Sequence, residues 1–555
     1  AGLLVAAAAL ASCGDDGDSL FRPPPPPVPL AQVSDRTGFA GSCDQQQSAG
    51  TLYPSSEVEP FLAVNPVNPG NFIGVWQQDR WSNGGARGLV AGVSFDGGET
   101  WATRTAPFSR CTGGTLLGGG DYARATDPWV TFGPGGAAYW MAMTITDTPA
   151  QDITGMLVSR STDGGLTWET PIVLQADDDP RLLNDKNSMT ADPNDADVVY
   201  AVWDRLRTAN GEIASSGQGR ENVFGLGFKG PILFTRTTDG GDTWEAAREI
   251  YDPGPGAQTI GNLVAVLADG TLLNLFTEIH FDSDQPDGAT LRVIRSTDQG
   301  ATWSAPVTVA PMLSVGTQDP ATGAPVRGGS ILGSIATGPG GGDVWVAWQD
   351  SRYFFEVCAN PPCVGPGDSI VLARSTDGGL SWGAPVLVPP DAQVQAFTPF
   401  VHVAADGTVG VTYYDLRDDT TDPDYLLTSY WLATSADGVA WTERRVSGPF
   451  DLAIAPDAFG LFLGDYQGLA SAGTDFVPFF AQTFPSLRNR TNVYAVSLPT
   501  QATATAKAGA SYQAWSGPVP AISGAWADRI RANVERSRHH VKERYRPRLP
   551  ANYLR

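Results

Sequence analysis

Histidine and cysteine are scarce in this chain of 555 residues, with four of the first and five of the second. Only His280 and His402 lie in the body of the sequence, the other two falling in the last twenty residues. A histidine-rich metal centre or a cysteine–histidine enzyme therefore has too little material. Positive charge is also thin: 36 Lys and Arg stand against 59 Asp and Glu, a formal net charge of −23. That balance excludes a general nucleic-acid binder, which needs a basic face. Charged residues make up only 17% and hydrophobic ones 42%, so a core can be built. Gly (64) and Pro (43) are abundant instead, as many short strands joined by turns require. The length is large for one ordinary domain, but repeat folds exceed that prior without splitting.

Residues 1–28 read as a signal segment and spacer. Ala1 to Ser12 form an apolar run too short to span a bilayer, and it ends in small residues before Cys13. Leu10-Ala11-Ser12-Cys13 resembles the bacterial lipobox, which implies lipidation at Cys13 and an exported, membrane-anchored lipoprotein, periplasmic or on the cell surface. A plain secretory peptide with an incidental cysteine is the alternative. Pro23 to Pro27 would form a stiff spacer. Export permits disulfides. Cys358 and Cys363 enclose only four residues and suit a loop-pinning bridge, which leaves Cys43 with Cys111, although three connectivities and free thiols stay open.

Self-similarity sets the fold. Ser94-Phe-Asp96-Gly-Gly-Glu-Thr-Trp101 recurs around Asp163, Asp239, Asp298 and Asp377, with a worn copy around Asp437, about 60 to 80 residues apart. The pattern resembles the Asp box, or BNR repeat, of sialidases and related β-propellers. Its chemistry is structural: the carboxylate accepts backbone N–H groups of its own hairpin, glycine supplies positive φ, and Trp plugs a gap.

Before each box comes a second repeat, an apolar strand, a tight turn and another apolar strand, as in Phe61 to Trp76. A copy at Leu461 to Phe480 has no box after it, and Asn492 to Ser497 offers it a third strand. The expected fold is all-β, a propeller of four-stranded antiparallel blades spanning residues 29–500. Seven blades are favoured and six, the usual sialidase count, is the alternative. Pro29 to Ser34 resembles the outer strands at Ala305–Ala310 and Ala384–Pro389 and would close the ring, removing exposed edges. Residues 501–555 turn basic; a short helix around Trp526 to Tyr545 is one reading, and a solvated tail is preferred.

In such a ring the boxes and first turns share one face. Insertions gather on the other, for example Arg205 to Lys229 and Ser351 to Asp368. That elaborated face is where loops on a rigid scaffold carry function. Second strands end there with Asp79-Arg80, Asp204-Arg205, Asp350-Ser-Arg352 and Asp415-Leu-Arg417, the last preceded by Tyr414. Glu278 and His280 stand at the matching place in the fourth unit, and Glu59, Asp127, Asp185 and Asp465-Tyr466 open inner strands. Arginines there can grip carboxylates bidentately. The same pairs can equally be salt bridges between neighbouring strands, and His402 reads as a core residue. No cofactor is required. Ca²⁺ could be held by the acidic runs Asp415–Asp424 or Asp282–Asp287, but their spacing fits no standard loop and a solvated acidic loop is the better reading.

Further segments resemble bacterial sialidase-family proteins: Glu59-Pro60, Trp76 to Arg80, Thr412 to Arg417 and Gly464 to Gly468. The resemblance implies glycans or glycoconjugates as partners, a monomer, and exo-α-sialidase chemistry in which three arginines hold the sugar carboxylate. A Tyr nucleophile assisted by Glu, with an Asp acid/base, completes that scheme. Candidates by position are Tyr414 or Tyr466 as nucleophile and Asp79, Asp350, Asp415 or Glu278 among the acids. Arg80, Arg205, Arg352 and Arg417, with Asp204 and Asp465, would bind substrate. The family's Arg-Ile-Pro signature is missing, since the first inner strand follows Glu59-Pro60. Two functions follow: a sialidase-like glycoside hydrolase, or a non-catalytic propeller that binds glycan or protein.

Overall fold

A computed structural model of the protein describes residues 21–44, 50–146, 154–179, 182–207, 229–282, 285–357, 367–389, 391, 393–420, 422–499 and 524–545. Cys13, Cys358, Cys363 and Asp284 lie outside the described residues. After a short strand at Ala31–Gln32, the chain runs through antiparallel meanders. Their first strands are Leu52–Val64, Arg124–Phe132, Leu182–Ala191, Ala257–Val266, Gly333–Thr337, Ala396–Val403 and Gly468–Ala472. Each first strand pairs with the one that follows it, which pairs with a third. First strands of successive meanders lie side by side, and the series returns from Gly468–Ala472 to Leu52–Val64. The result is an all-β propeller. Single pairs, Ser56↔Thr491 and Ala86↔Ala125, fuse neighbouring meanders, so twelve strands form one continuous sheet rather than separate four-stranded units.

Closure uses the N-terminal strand. Ala31 lies opposite Ala495 and Gln32 opposite Tyr494, on the outside of the last meander. Val33 N donates to Val493 O at 2.8 Å, and Val493 N donates to Ser34 Oγ at 2.8 Å. The last meander, which has no Asp box after its third strand, thereby gains an outer partner and loses its open edge.

Second strands carry Trp76, Trp140, Trp203 and Trp348, all fully buried in the core between sheets. The Asp boxes form the turns after the third strands. In the first, Thr100 N donates to Asp96 Oδ1 at 2.9 Å, Ser94 Oγ donates to the same oxygen at 2.8 Å, and Gly98 N donates to Ser94 Oγ at 2.9 Å. The pattern repeats at Asp163, Asp239, Asp298 and Asp377, and in shortened form at Asp437. Gly97 and Gly98 sit at φ 75° and 91°, where a Cβ would be strained. Asn71, in the turn between the first two strands, donates to Ser94 O and to Gly164 O of the next box. Boxes and first turns thus share one face.

On the opposite face, Gly524–Tyr545 forms a helix where a solvated tail had been the preferred expectation. Trp526, Ile530, Asn533 and Val534 are buried, at positions i, i+4, i+7 and i+8 of one helical stripe. The physical reason is that this stripe has a floor to cover, the loops around Ser314, Ser330 and Ser351. Cys43 and Cys111 are joined in a disulfide.

Candidate functional site at the propeller axis

Five inner strands break register at one equivalent place, between Val58 and Phe61, Thr126 and Trp129, Asp185 and Ser188, Ile260 and Leu263, and Phe397 and Phe400. Each break is a bulge with one residue at positive φ: Glu59 at 52°, Asp127 at 49°, Lys186 at 48°, Gly261 at 73° and Thr398 at 51°. Left-handed backbone costs a non-glycine residue on the order of 1–3 kcal/mol, and such strain gathers at functional sites. Proline follows at positions 60, 128 and 399 and suits a bulge, having no N–H to offer a ladder. The bulges turn side chains from different meanders toward one axial well.

At the centre stands the Lys186 ammonium. Its Nζ donates to Asp465 Oδ2 at 2.7 Å, Asp127 Oδ1 at 3.1 Å and Glu59 Oε1 at 3.3 Å. Arg327 arrives from a small sheet of Thr317–Gln318, Pro325–Arg327 and Leu461–Phe462. Its guanidinium grips Asp465 through Nε at 3.0 Å and through Nη2. Gln77 donates to Glu59, and to Thr126 Oγ1 at 2.9 Å; Arg80 Nη1 donates to Gln77 Oε1 at 2.6 Å. Gly464 makes the close approach possible, because a Cβ there would stand 2.9 Å from the Glu59 backbone. Beneath the charges lies an aromatic floor, with Phe61 stacked on Trp129 at 3.7 Å and Tyr466 edge-on to Trp129 at 5.4 Å.

Shared among three buried carboxylates, one ammonium cannot serve all equally. Burial and the carboxylates of Asp127 and Asp465 push Glu59 up to about 7, against the pull of Lys186. Asp465 goes the other way, held well below the usual carboxylate range by Arg327 and Lys186 despite burial. Lys186 is raised by its three carboxylates and stays an ammonium. Burial and the adjoining carboxylates raise Tyr466, whose hydroxyl donates to Pro128 O at 3.2 Å, so it remains a phenol at neutral pH.

The sequence candidates divide between this well and other places. Asp465 and Tyr466 are in it, with Arg80 at its side, 4.9 Å from the Phe462 ring. Asp350 is saturated by the Arg352 guanidinium at 2.8 Å, Trp348 Nε1 at 2.9 Å and Leu313 N at 3.1 Å. Asp415 receives Arg417 and Trp431 Nε1, while Arg417 also binds Glu443 at 3.0 Å. Arg205 pairs with Asp177. Asp204 accepts Gly261 N and Thr259 Oγ1, both at 3.0 Å, and so ties the third meander to the fourth. Asp79 accepts Ser55 N at 2.8 Å. Glu278 binds Arg292 at 3.1 Å, with His280 and Tyr251. Tyr414 is in the core, its hydroxyl donating to Ala481 O and its ring stacked on Phe397 at 5.3 Å. His402 is also inside, its imidazole at 3.0 Å from Ser471 Oγ and pushed down to about 4 by burial.

Lys186 and Arg327 carried no signal in the sequence reading, although Asp185 was singled out beside Lys186. In the acidic loop, Asp418 is held by Arg445 at 2.8 Å and Asp419 accepts Leu427 N at 3.0 Å. Cys43, Asp44 and Cys111 lie close together, but both sulfurs are spent in the disulfide and Asp44 accepts Arg87 at 3.2 Å.

No protein-family model matches the chain, and no curated protein matches it. Solved structures are similar to it. An α-L-arabinanase of Penicillium chrysogenum, in complex with arabinobiose, matches at 12% identity and a TM-score of 0.43, over 85% of this chain and 98% of that one. A Hadza microbial sialidase matches at 16% identity and 0.40, over 76% of each chain. The NanB sialidase of Streptococcus pneumoniae matches at 10% and 0.39, over 82% and 96%.

Proposed function

We propose that the protein is a glycan-directed propeller of seven blades and a glycoside hydrolase acting at the axial well. One observation carries this reading: the carboxyl groups of Glu59, Asp127 and Asp465 converge on the one buried ammonium of Lys186, where burial pushes Glu59 up while Arg327 and Lys186 hold Asp465 down. Two carboxyl groups whose environments separate them in this way supply an acid and an ionised partner for glycosidic cleavage. Glu59 is assigned as proton donor to the leaving oxygen, and Asp465 or Asp127 as the carboxylate facing the sugar's reacting carbon. Lys186 and Arg327 hold the charges in place, and Trp129 with Phe400 offers apolar faces to a sugar ring. The ring of inner strands and the N-terminal strand beside Thr491–Ala495 support this count and its closure.

Neutral sugars fit better than sialic acid. Arg205 closes on Asp177 of the preceding meander, Arg352 on Asp350, Arg417 on Asp415 and Arg327 on Asp465, so these four guanidiniums are spent on carboxylates of the protein, and among the described residues they form no trio open to a sugar carboxylate. Export with a lipid anchor at Cys13 remains part of the proposal; the Cys43–Cys111 bridge suits an oxidising compartment. A second reading, a non-catalytic propeller that binds glycan or protein, is favoured by one observation. The two axial cavities measure about 70 and 40 Å³, whereas small-molecule sites run to roughly 300 Å³ or more.

Hydrolysis of a panel of fluorogenic neutral glycosides and a sialoside separates the readings. Turnover of a neutral glycoside, lost on Glu59→Gln and Asp465→Asn with unfolding still cooperative, supports the hydrolase. Inactivity across the panel together with glycan-array binding gives the binding module. Turnover of the sialoside alone would overturn the neutral-sugar assignment.

A further inference from the structure

The helix Gly524–Tyr545 packs beside the well. Trp526 Nε1 donates to Ser351 Oγ at 2.9 Å. Asn533 Nδ2 donates to Ser314 Oγ at 2.9 Å and Ser314 O at 3.2 Å, while its Oδ1 accepts Ser330 Oγ at 3.1 Å. Arg536 donates to Val315 O at 3.0 Å. Asn533, Arg536 and Ser537 line the upper cavity together with Lys186, Arg327 and Asp465. Lys186, Arg327 and Asp465 therefore share with the helix a space of about 70 Å³, room for water and not for a sugar ring.

The contact combines an apolar seam that joins the main core with polar bonds to loops. Trp526, Asn533 and Arg536 bond hydroxyls and main-chain carbonyls of those loops, groups that water can satisfy when the helix leaves. Its apolar seam is three side chains, Trp526, Ile530 and Val534. It bonds to the connection between the fourth and fifth meanders and to the loop after the fifth meander's second strand, while the ring itself is closed elsewhere, at Ala31–Gln32. Losing the helix leaves every inner strand with its neighbours.

We infer that Gly524–Tyr545 is an autoinhibitory cover over the axial well, and that the ligand-admitting state is the one with this helix displaced. The inference rests on the well being the functional site, and it accounts for cavities too small for the proposed substrate.

Hydroxyl-radical footprinting of the full chain tests it without any sugar. Ile331 and Leu332 line the upper cavity and Tyr466 the lower one. Ile530→Glu and, separately, Trp526→Ala should raise oxidation of Ile331, which is buried with the helix in place, by about tenfold, as an opening shifted by one decade in population predicts, with a smaller rise at the half-buried Leu332 and none at Tyr466, whose cavity the helix does not line. Ser330→Cys with Asn533→Cys should staple the cover, keeping the unvaried footprint until a reductant releases it; this arm also serves where the first variants lose cooperative unfolding. An unchanged footprint in Ile530→Glu, with the helix itself newly oxidised, overturns the cover whatever the turnover. An opened footprint with no glycoside cleaved leaves the cover standing and overturns the hydrolase.

Discussion

Replacing Lys186 by methionine strikes the one cation that three carboxylates share. Lys186 Nζ lies within 3.3 Å of Glu59, Asp127 and Asp465, and its side chain is only 9% exposed. Methionine keeps most of the volume and removes the charge. Breaking a buried pair from one side costs about 3–5 kcal/mol, because the partner charge is left uncompensated. Here part of that cost can be avoided by protonation. Glu59, already at about 7 against an ordinary 4.5, would rise further without the ammonium. A folded-state pKa above the unfolded one means the folded chain binds more protons through that window, so stability falls as pH rises across it. In the parent chain the window runs from 4.5 to about 7 and is worth about 3–4 kcal/mol, at about 1.4 kcal/mol per unit. In Lys186→Met it extends upward. The expected loss is therefore about 3–5 kcal/mol at pH 8 and roughly half that at pH 5, where Glu59 carries its proton in both chains. Urea unfolding at the two pH values reads the difference as midpoint shifts at constant slope. Arg374→Met is the control, since its partner Asp343 and Arg374 itself are 32% and 40% exposed, and such pairs contribute about 0–1 kcal/mol. An equal loss at both pH values, or a loss no larger than the control's, would refute the shared-ammonium argument.

Three further outcomes follow from the scaffold. Ser161→Ala removes a buried hydroxyl that donates to Asp163 and accepts Gly165 N at 2.9 Å; it should cost about 1–2 kcal/mol in urea unfolding and leave the axial site's footprint unchanged. Cys43→Ser with Cys111→Ser opens a link across 68 residues, and should cost about 2–4 kcal/mol, with the remaining stability no longer sensitive to a reductant. Val33→Asp puts a charge at a 5% exposed position on the closing strand; a loss of about 3 kcal/mol or more, with faster hydrogen exchange along Thr491–Ala495, is expected.

The repeat made most of the scaffold readable, because the features that define it are local. Asp96, its Ser94 and its Thr100 lie within seven residues and bond to one another, so a turn can be read from its own letters. Closure at Ala31–Gln32 was readable for a similar reason: an unpaired last unit and a strand-like segment before the first left one economical pairing. The docked helix was harder. Its stripe of Trp526, Ile530, Asn533 and Val534 is visible at helical spacing, but eight Arg and Lys residues from Arg529 to Arg548 spoke for solvent, and the loops that receive it are named nowhere near it in sequence.

The axial site shows why pairs of charges mislead where strands are concerned. Where a strand ends in Asp and the chain turns, the arginine two residues on folds back onto it, so Asp350 with Arg352, and Asp415 with Arg417, satisfy each other before either can reach the axis. Adjacent residues point apart: Asp204 turns to Gly261 of the next meander while Arg205 turns back to Asp177. Conspicuous Asp–Arg spacing at strand ends is thus a signature of local neutralisation. The axial group obeys the opposite rule. Glu59, Asp127, Lys186 and Asp465 are far apart in the chain, and each of the first three needs a bulge to turn inward. What the letters do record is the bulge, in the prolines after Glu59, Asp127 and Thr398. A search for function in a propeller of this kind therefore belongs at residues that precede proline in the inner strands. Lys186 is the reason the rule is incomplete: Asn187 follows it, and its charge has meaning only once three other meanders have been folded around it.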